Sequence, residues 1–182
     1  IKQVVDVRKG EIMFGLNMIV HKGRTIFIGD TSVHEYPTSE QMAAMAISTA
    51  RVVRLFGFDP KVAFVSHSTF GQPLTSRTKH IKKAVDILKD KNVDFEFDGD
   101  MQPDVALNSE YEELYPFAKI VGKANILIMP GQHSAAISYK LMKTIGDAKV
   151  IGPLLIGLGL PVEIAPLRTS TSESVSYTHL RA

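Results

Sequence analysis

Two groups of residues in this chain have the types and the spacing to do chemistry. The first is Ser66-His67-Ser68-Thr69-Phe70-Gly71, which follows the apolar run Val62-Ala63-Phe64-Val65 and leads to Ser76 and Arg77. A buried strand, a hydroxyl- and glycine-rich loop and a helix start, in that order, make an anion site. The free N–H groups of the first helical turn point at the ligand and the hydroxyls add donors. Arg77, Lys79 and His80 fall in that first turn, where the helix dipole favours acidic residues. A bound phosphate or carboxylate would relieve the conflict. The alternative is an ordinary strand-to-helix connection with a basic surface. The second group is Asp98, Asp100 and Asp104. It could hold Mg²⁺, supply a general base, or serve as turn and cap residues. The six histidines show no metal-ligand spacing. His67 and His133 fall in separate loops that could meet, either as a pH-sensitive pair or as ordinary polar loop residues.

The elements that must position these residues are set by periodicity. Gln3 to Val7 and Ile12 to Val20 are strand-like, and Lys22-Gly23 turns the chain into a second strand over Arg24 to Gly29. Pro37, Thr38 and Gln41 mark a capping-box helix that runs to about Phe56 and stops at Gly57. Met42, Met45, Ala46, Val52, Val53 and Phe56 give it a broad inner face, with the methionines as core filler. Next come a strand over 61–66, a helix over 76–91, a strand over 93–97 and a helix near 103–115. A strand over 125–130, a helix over 134–145 capped by Gly146, and a strand over 149–151 complete the series. Alternation of this kind predicts a mostly parallel sheet covered on both faces, with the initial hairpin adding antiparallel strands. Ligands in such sheets sit at the carboxyl ends of the strands. The loops 66–76, 98–104 and 130–134 are expected to converge there.

Bulk properties exclude several classes. A net charge of +2 over 182 residues gives no sign of a nucleic-acid surface. The chain has no cysteine, hence no disulfide, thiolate metal site or cysteine nucleophile. Its longest apolar stretch, 151–162, is interrupted by glycines and prolines and falls well short of the ~20 residues of a membrane span. No signal peptide is visible, so a cytoplasmic location is expected. Gly157-Leu158-Gly159-Leu160-Pro161 is not a dinucleotide fingerprint, because it lacks the third glycine and opens no helix. No Gly-x-x-x-x-Gly-Lys motif occurs.

Ser66-His67-Ser68-Thr69-Phe70-Gly71 resembles the Ser-x-Ser-x-x-Gly loop of the phosphate acetyl/butyryl transferase family. Asp98-Gly99-Asp100-Met101-Gln102-Pro103-Asp104-Val105-Ala106 and Gly122-Lys123-Ala124-Asn125 through Pro130 resemble two further segments of that family. Ile137-Ser138-Tyr139-Lys140, Gly152-Pro153, Gly157-Leu158 and Pro161 come next, in order. The set covers roughly residues 60–168. Phe14-Gly15-Leu16-Asn17-Met18, His21-Lys22-Gly23-Arg24, Asp30-Thr31 and Pro37 to Gln41 resemble the transferase-like C-terminal region of bacterial NADP-dependent malic enzymes.

The resemblance implies an α/β fold: a three-layer α/β/α arrangement with a mostly parallel mixed sheet, like the isocitrate and isopropylmalate dehydrogenases, truncated at both ends. It implies a transferase-like domain over 1–165 and a truncated return segment over 166–182; residues 176–182 fit no helix pattern and read either as foreign sequence or as a divergent frayed tail. The ligand is expected to be acetyl-CoA or a related acyl-CoA, and its phosphate or acyl end is expected at Ser66, Ser68, Thr69, Gly71, Ser76, Arg77, His133, Ser134 and Arg168. The module is expected to sense that ligand and to form homo-oligomers, with no nucleic-acid or membrane partner. It carries no cofactor of its own; NADP and Mg²⁺ or Mn²⁺ belong to a malic-enzyme region not in this chain. The aspartates then read as turn and cap residues, since the resembled transferases need no metal. Active transferases carry a Ser-Arg pair where this chain has Leu167-Arg168, and an acid for which Glu173 is a loose match. Two family asparagines are replaced by His133 and Ala136. Loss of one oxyanion donor costs ~10²–10³ in rate, so the chemistry is expected to be gone and the binding fold retained. The alternative is a working phosphate acetyltransferase that moves acetyl between CoA and phosphate.

Overall fold

Seven strands form one mixed sheet in the computed structural model, which describes residues 5–160 and 162–164. A hairpin opens the chain. β1 (Phe14–His21) turns at Lys22-Gly23 into β2 (Arg24–Gly29), as the turn residues predict. Then come helix α1 (Ser39–Leu55), β3 (Lys61–Val65), α2 (Ser76–Asp90) and β4 (Glu96–Met101). A short helix α3 (Pro103–Leu107) and a 3₁₀ turn (Ser109–Leu114) lead to β5 (Ile126–Ile128). Helix α4 (Gln132–Thr144), β6 (Lys149–Ile156) and β7 (Val162–Glu163) complete the described fold.

The strand order is β4-β3-β5-β2-β1-β6-β7. β4, β3, β5 and β2 pair in parallel, while β1 is antiparallel to both its neighbours and β7 is antiparallel to β6. Five of the seven strands therefore point one way. Helices α1 and α2 cover one face, over a core built around Phe14, Phe27, Phe64, Met42 and Leu88. Helices α3 and α4 and the 3₁₀ turn cover the other, over Ile19, Val65, Met101, Ile120 and Leu127. The expected three-layer α/β arrangement is present. Among the described residues no helix is long and apolar enough to cross a membrane.

The helix starts obey local chemistry. Thr38 caps α1 through a capping box with Gln41. Gly57, at φ +80°, ends that segment in a conformation costly for other residues. Helix α2 opens at Ser76 as expected and is capped by Thr75 through a second box with Thr78. Met42 and Met45 fill the core as expected.

Most elements fall within two residues of the sequence-based boundaries, and three differ by more. β4 lies at 96–101 rather than 93–97, so Asp98 and Asp100 sit on the strand. β6 continues through Gly152-Pro153 to Ile156 instead of stopping at 151. Each contains a bulge. Phe64 pairs with Gly99 and Val65 with Met101, leaving Asp100 as the extra residue. Leu16 pairs with Leu154 and Met18 with Ile151, so Gly152-Pro153 oppose the single residue Asn17. Glycine and proline inside a strand read as turns, yet bulges are where sheets accept them. The helix expected near 103–115 is broken by Asn108, which is extended at φ −117° and ψ 118° and accepts from the Glu110 N–H. Gln3 and Val4 lie outside the described residues.

The segment after β2 is organised by one side chain. Asp30 is wholly buried. Its Oδ1 accepts from the N–H groups of Gly15 (2.8 Å), Ser32 (2.8 Å) and Val33 (3.1 Å). Its Oδ2 accepts from the His34 N–H and meets His34 Nδ1, both at 2.7 Å. Removing the acceptor strands several buried donors, each worth about 1–3 kcal/mol. Asp30→Ala should therefore lower unfolding stability by at least about 3 kcal/mol, measured by urea denaturation of the intact protein. A loss under about 1 kcal/mol would show that the carboxylate does not organise this segment.

Candidate functional site

The four parallel strands bring their carboxyl ends to one edge, and the loops after β3, β4 and β5 meet there as expected. The first two are joined directly. Ser66 N–H donates to the Met101 carbonyl at 2.9 Å, and Phe70 N–H to the Asp100 carbonyl at 2.6 Å. Buried Asp100 accepts from the Ser68 hydroxyl and from the Gly71 N–H (3.0 Å). Thr69 Oγ1 accepts from the Gln102 N–H at 3.2 Å, and Gln102 Nε2 donates to the His67 carbonyl at 3.0 Å. Phe70 packs edge-on against Phe117, with ring centroids 4.9 Å apart.

These contacts change the role of the expected anion loop. Ser66, Ser68 and Thr69 are buried, and their hydroxyls are engaged with Asp100, Gln102 and one another. They hold the loop's shape. The other two aspartates are likewise engaged. Asp98 accepts from the Lys119 N–H at 2.9 Å, and Asp104 from the Tyr111 hydroxyl at 3.2 Å. That hydrogen bond raises the Tyr111 pKa, because the phenol keeps its proton to donate it. The three aspartates thus act as anchors; none of them caps a helix, since Asp98 and Asp100 lie on β4 and the N-cap residue of α3 is Gln102, with no side-chain cap. No group of three potential metal ligands occurs among the described residues.

The loop leads instead into a cleft of about 280 Å³ between the N-termini of α1 and α2. Met42, Ile81, Pro37 and Pro130 give it an apolar lining. Tyr36, Thr38, Ser76, Arg77 and His80 supply the polar part. Of the expected residues, Ser76 and Arg77 reach this cleft, and the loop after β5 reaches it through Pro130. The Arg77 guanidinium stacks over the Tyr36 ring, 5.3 Å from its centroid, which holds it at the rim. His80 ties the two helices together. Its Nε2 donates to the Pro37 carbonyl at 2.9 Å, and Ser39 Oγ lies 3.1 Å from its Nδ1 and donates to its backbone carbonyl.

The electrostatics of the two helix starts differ. α1 carries Glu40 in its first turn, and α2 carries no acid there. Lys83 of α2 donates to Glu40 at 2.8 Å. That bond, with its own backbone N–H and the Thr38 hydroxyl, lowers the Glu40 carboxyl pKa from 4.5 to about 2. The α1 dipole is compensated, so the uncompensated positive end facing the cleft belongs to α2.

His133 and Ser134 are placed by the start of α4. His133 Nε2 lies 3.2 Å from an oxygen of Glu35, and the Ser134 hydroxyl donates to the Gly131 carbonyl at 2.9 Å. Gly131 is required here, since a Cβ would stand 2.2 Å from the Glu35 carbonyl oxygen. His67 and His133 do not pair: His67 lies near Ser66, and His133 near Glu35. Leu167, Arg168 and Glu173 lie outside the described residues. Sequence reasoning noted His80 in the basic first turn of α2 but passed over Tyr36 and Pro37 as lining groups and Asp30 as their support. A signal was available, since an aspartate before Thr-Ser suits a carboxylate that accepts from N–H groups two to four residues on.

Comparison with known proteins settles the kinship. The family model for phosphate acetyl/butaryl transferase matches residues 1–181. The chain belongs to this family. The NADP-dependent malic enzyme of Rhizobium meliloti is 41% identical over 182 residues, all of this chain and 24% of that protein. The phosphate acetyltransferase of Clostridium acetobutylicum is 37% identical over 139 residues, 75% of this chain and 42% of that protein. A phosphotransacetylase from Streptococcus pyogenes superposes with a TM-score of 0.92 at 26% identity, covering 98% of this chain and 56% of the other. The chain thus spans about a quarter of the malic enzyme it matches.

Asp100→Ala would free the Ser68 hydroxyl and the Gly71 N–H and loosen the 66–76 loop. Hydrogen exchange at Phe70 and Gly71 should accelerate roughly five- to a hundredfold, since a lost buried hydrogen bond weakens local protection by ~1–3 kcal/mol. Unchanged exchange there would show that the loop is held by other contacts.

Proposed function

We infer that this chain is an acyl-CoA-sensing, oligomerising module of a longer NADP-dependent malic enzyme, and that it does not turn its ligand over. The observation that carries the ligand reading is the cleft between α1 and α2. Arg77 and the α2 N-terminus would face the anionic end of acetyl-CoA, with Ser76 and the first-turn N–H groups as donors. Met42, Ile81 and Pro130 would pack the acyl or thioester portion. Arg168 would add a second cation and a forked donor. The 66–71 hydroxyls, engaged with Asp100, Gln102 and one another, would fix the loop rather than contact the ligand, and His133 and Ser134 would support the cleft wall through Glu35 and Gly131.

The non-catalytic part of the reading rests on Leu167, which replaces a hydroxyl with a side chain unable to donate, and on Ala136. Oxidative decarboxylation of malate, with NADP and a divalent metal, would belong to a region of the longer protein outside this chain. Each aspartate here accepts a hydrogen bond within the protein, which supports reading them as structural. A phosphate acetyltransferase is the alternative, supported by the similarity to the clostridial acetyltransferase.

Calorimetric titration of the intact protein with acetyl-CoA tests both halves. Arg77→Ala and Arg168→Ala should each weaken binding roughly ten- to a hundredfold, because a hydrogen bond to a charged group contributes ~1.5–3 kcal/mol. Unchanged affinity in both variants would place the ligand elsewhere. Acetyl transfer from acetyl phosphate to CoA should be undetectable, and turnover of about 1 s⁻¹ or more would favour the acetyltransferase.

A further inference from the structure

The cleft between α1 and α2 has a polar rim and an apolar floor. Tyr36, Thr38, Ser76, Arg77 and His80 stand exposed around it. Met42 and Ile81 lie at its base, 1% and 2% exposed, with Pro37 buried beside them. This floor offers no hydrogen bond. Neither Pro37 nor Pro130 has an N–H to give. The Pro37 carbonyl already accepts from His80 Nε2 at 2.9 Å, and the Met42 N–H is spent on the Thr38 carbonyl. The side chains of Met42 and Ile81 carry no proton donor. A carbonyl, hydroxyl or phosphate placed on them would lose its water and gain no partner, which is unfavourable. Hydrocarbon suits the floor, and the side chains able to bind an oxygen stand at the rim.

The size of the cleft adds a second constraint. Its volume of about 280 Å³ equals the share of about nine water molecules at ~30 Å³ each. An acetyl group brings a single methyl to such a floor and would leave most of it wet. Each further methylene would cover more of Met42 and Ile81 and displace water that no polar group holds. Methionine suits the position, since its unbranched thioether chain adapts to contents of different length.

We propose that the floor of the cleft is an acyl-chain pocket that favours acyl groups longer than acetyl, butyryl and hexanoyl among them, with Met42 as the residue that sets the length. The thioester oxygen would stay at the rim beside Ser76, and the anionic part beside Arg77. The proposal rests on the reading that this cleft takes an acyl-CoA, and it names the part that enters and the acyl class preferred.

Calorimetric titration of the intact protein with acetyl-, propionyl-, butyryl- and hexanoyl-CoA tests it. From acetyl to butyryl the dissociation constant should fall about fourfold for each added methylene, the gain from burying one CH₂. Met42→Phe fills the floor with a larger, stiffer side chain. The ratio of the acetyl to the butyryl constant should then drop from about fifteen to near one. Ile81→Phe should act in the same direction, and Met42→Leu, close in volume, should keep the parental ratio. Circular dichroism checks that each variant folds, and the series on the unaltered protein needs no variant. Equal or weaker binding as the chain lengthens overturns the proposal. So does a slope that survives in Met42→Phe and Ile81→Phe alike, since the chain would then lie elsewhere. A flat series in which Arg77→Ala still weakens acetyl-CoA binding leaves the cleft reading standing and sinks only the chain-length preference. If no thioester binds, both fall together.

Discussion

The cleft depends on a buried negative charge that never faces it. Asp30 stands at the end of β2, fully enclosed. A carboxylate there is costly unless its oxygens are satisfied. Four backbone N–H groups and an imidazole nitrogen satisfy them. The Gly15 bond ties the segment back to β1, and the others curl it on itself. That curl places residues 35–38. Glu35 meets the start of α4, Tyr36 carries Arg77, and Pro37 receives His80 before Thr38 begins α1. Three helices are thus referenced to one short segment, and that segment to one side chain.

Asp100 repeats the device on the other side of β3. It occupies a bulge in β4, where the extra residue turns its carboxylate toward the 66–71 loop. Both anchors are acceptors that gather N–H groups or hydroxyls at the carboxyl edge of the sheet. Apolar packing sets the helices on the sheet, but it is non-directional. Hydrogen bonds to fixed carboxylates define where each loop runs. The cost is that the loop's own donors are consumed. Ser68 and Gly71 serve Asp100, and the free positive potential passes to the next element, the start of α2 with Arg77.

This division explains what could be read in the sequence. Apolar periodicity and capping residues announced α1, α2, the hairpin and β3, because each is decided by residues within the element. Thr38 with Gln41 is the clearest case. β4 and β6 were misplaced because Gly99-Asp100 and Gly152-Pro153 look like turns, and only the partner strand reveals them as bulges. The helix expected near 103–115 failed at Asn108, whose side chain offers the backbone an alternative to the helix. At the site, Ser76 and Arg77 were legible because a basic first turn conflicts with the helix dipole. The inward use of Ser68 and Thr69 was not, since it requires knowing that Asp100 lies beneath them.

The two layers differ in what they leave unfinished. The α1–α2 layer closes its core and opens a cleft between two helix starts. The α3–α4 layer closes its core and keeps a second apolar surface outside it. They touch at the carboxyl edge through the contact of Gly131 with the Glu35 carbonyl and the pairing of His133 with Glu35. That contact leaves no room for a side chain at position 131. The Gln132 N–H donates to the His34 carbonyl at 2.9 Å, so the start of α4 is held against the 30–38 segment by backbone as well as side-chain contacts, and the two layers share one reference at the carboxyl edge of the sheet.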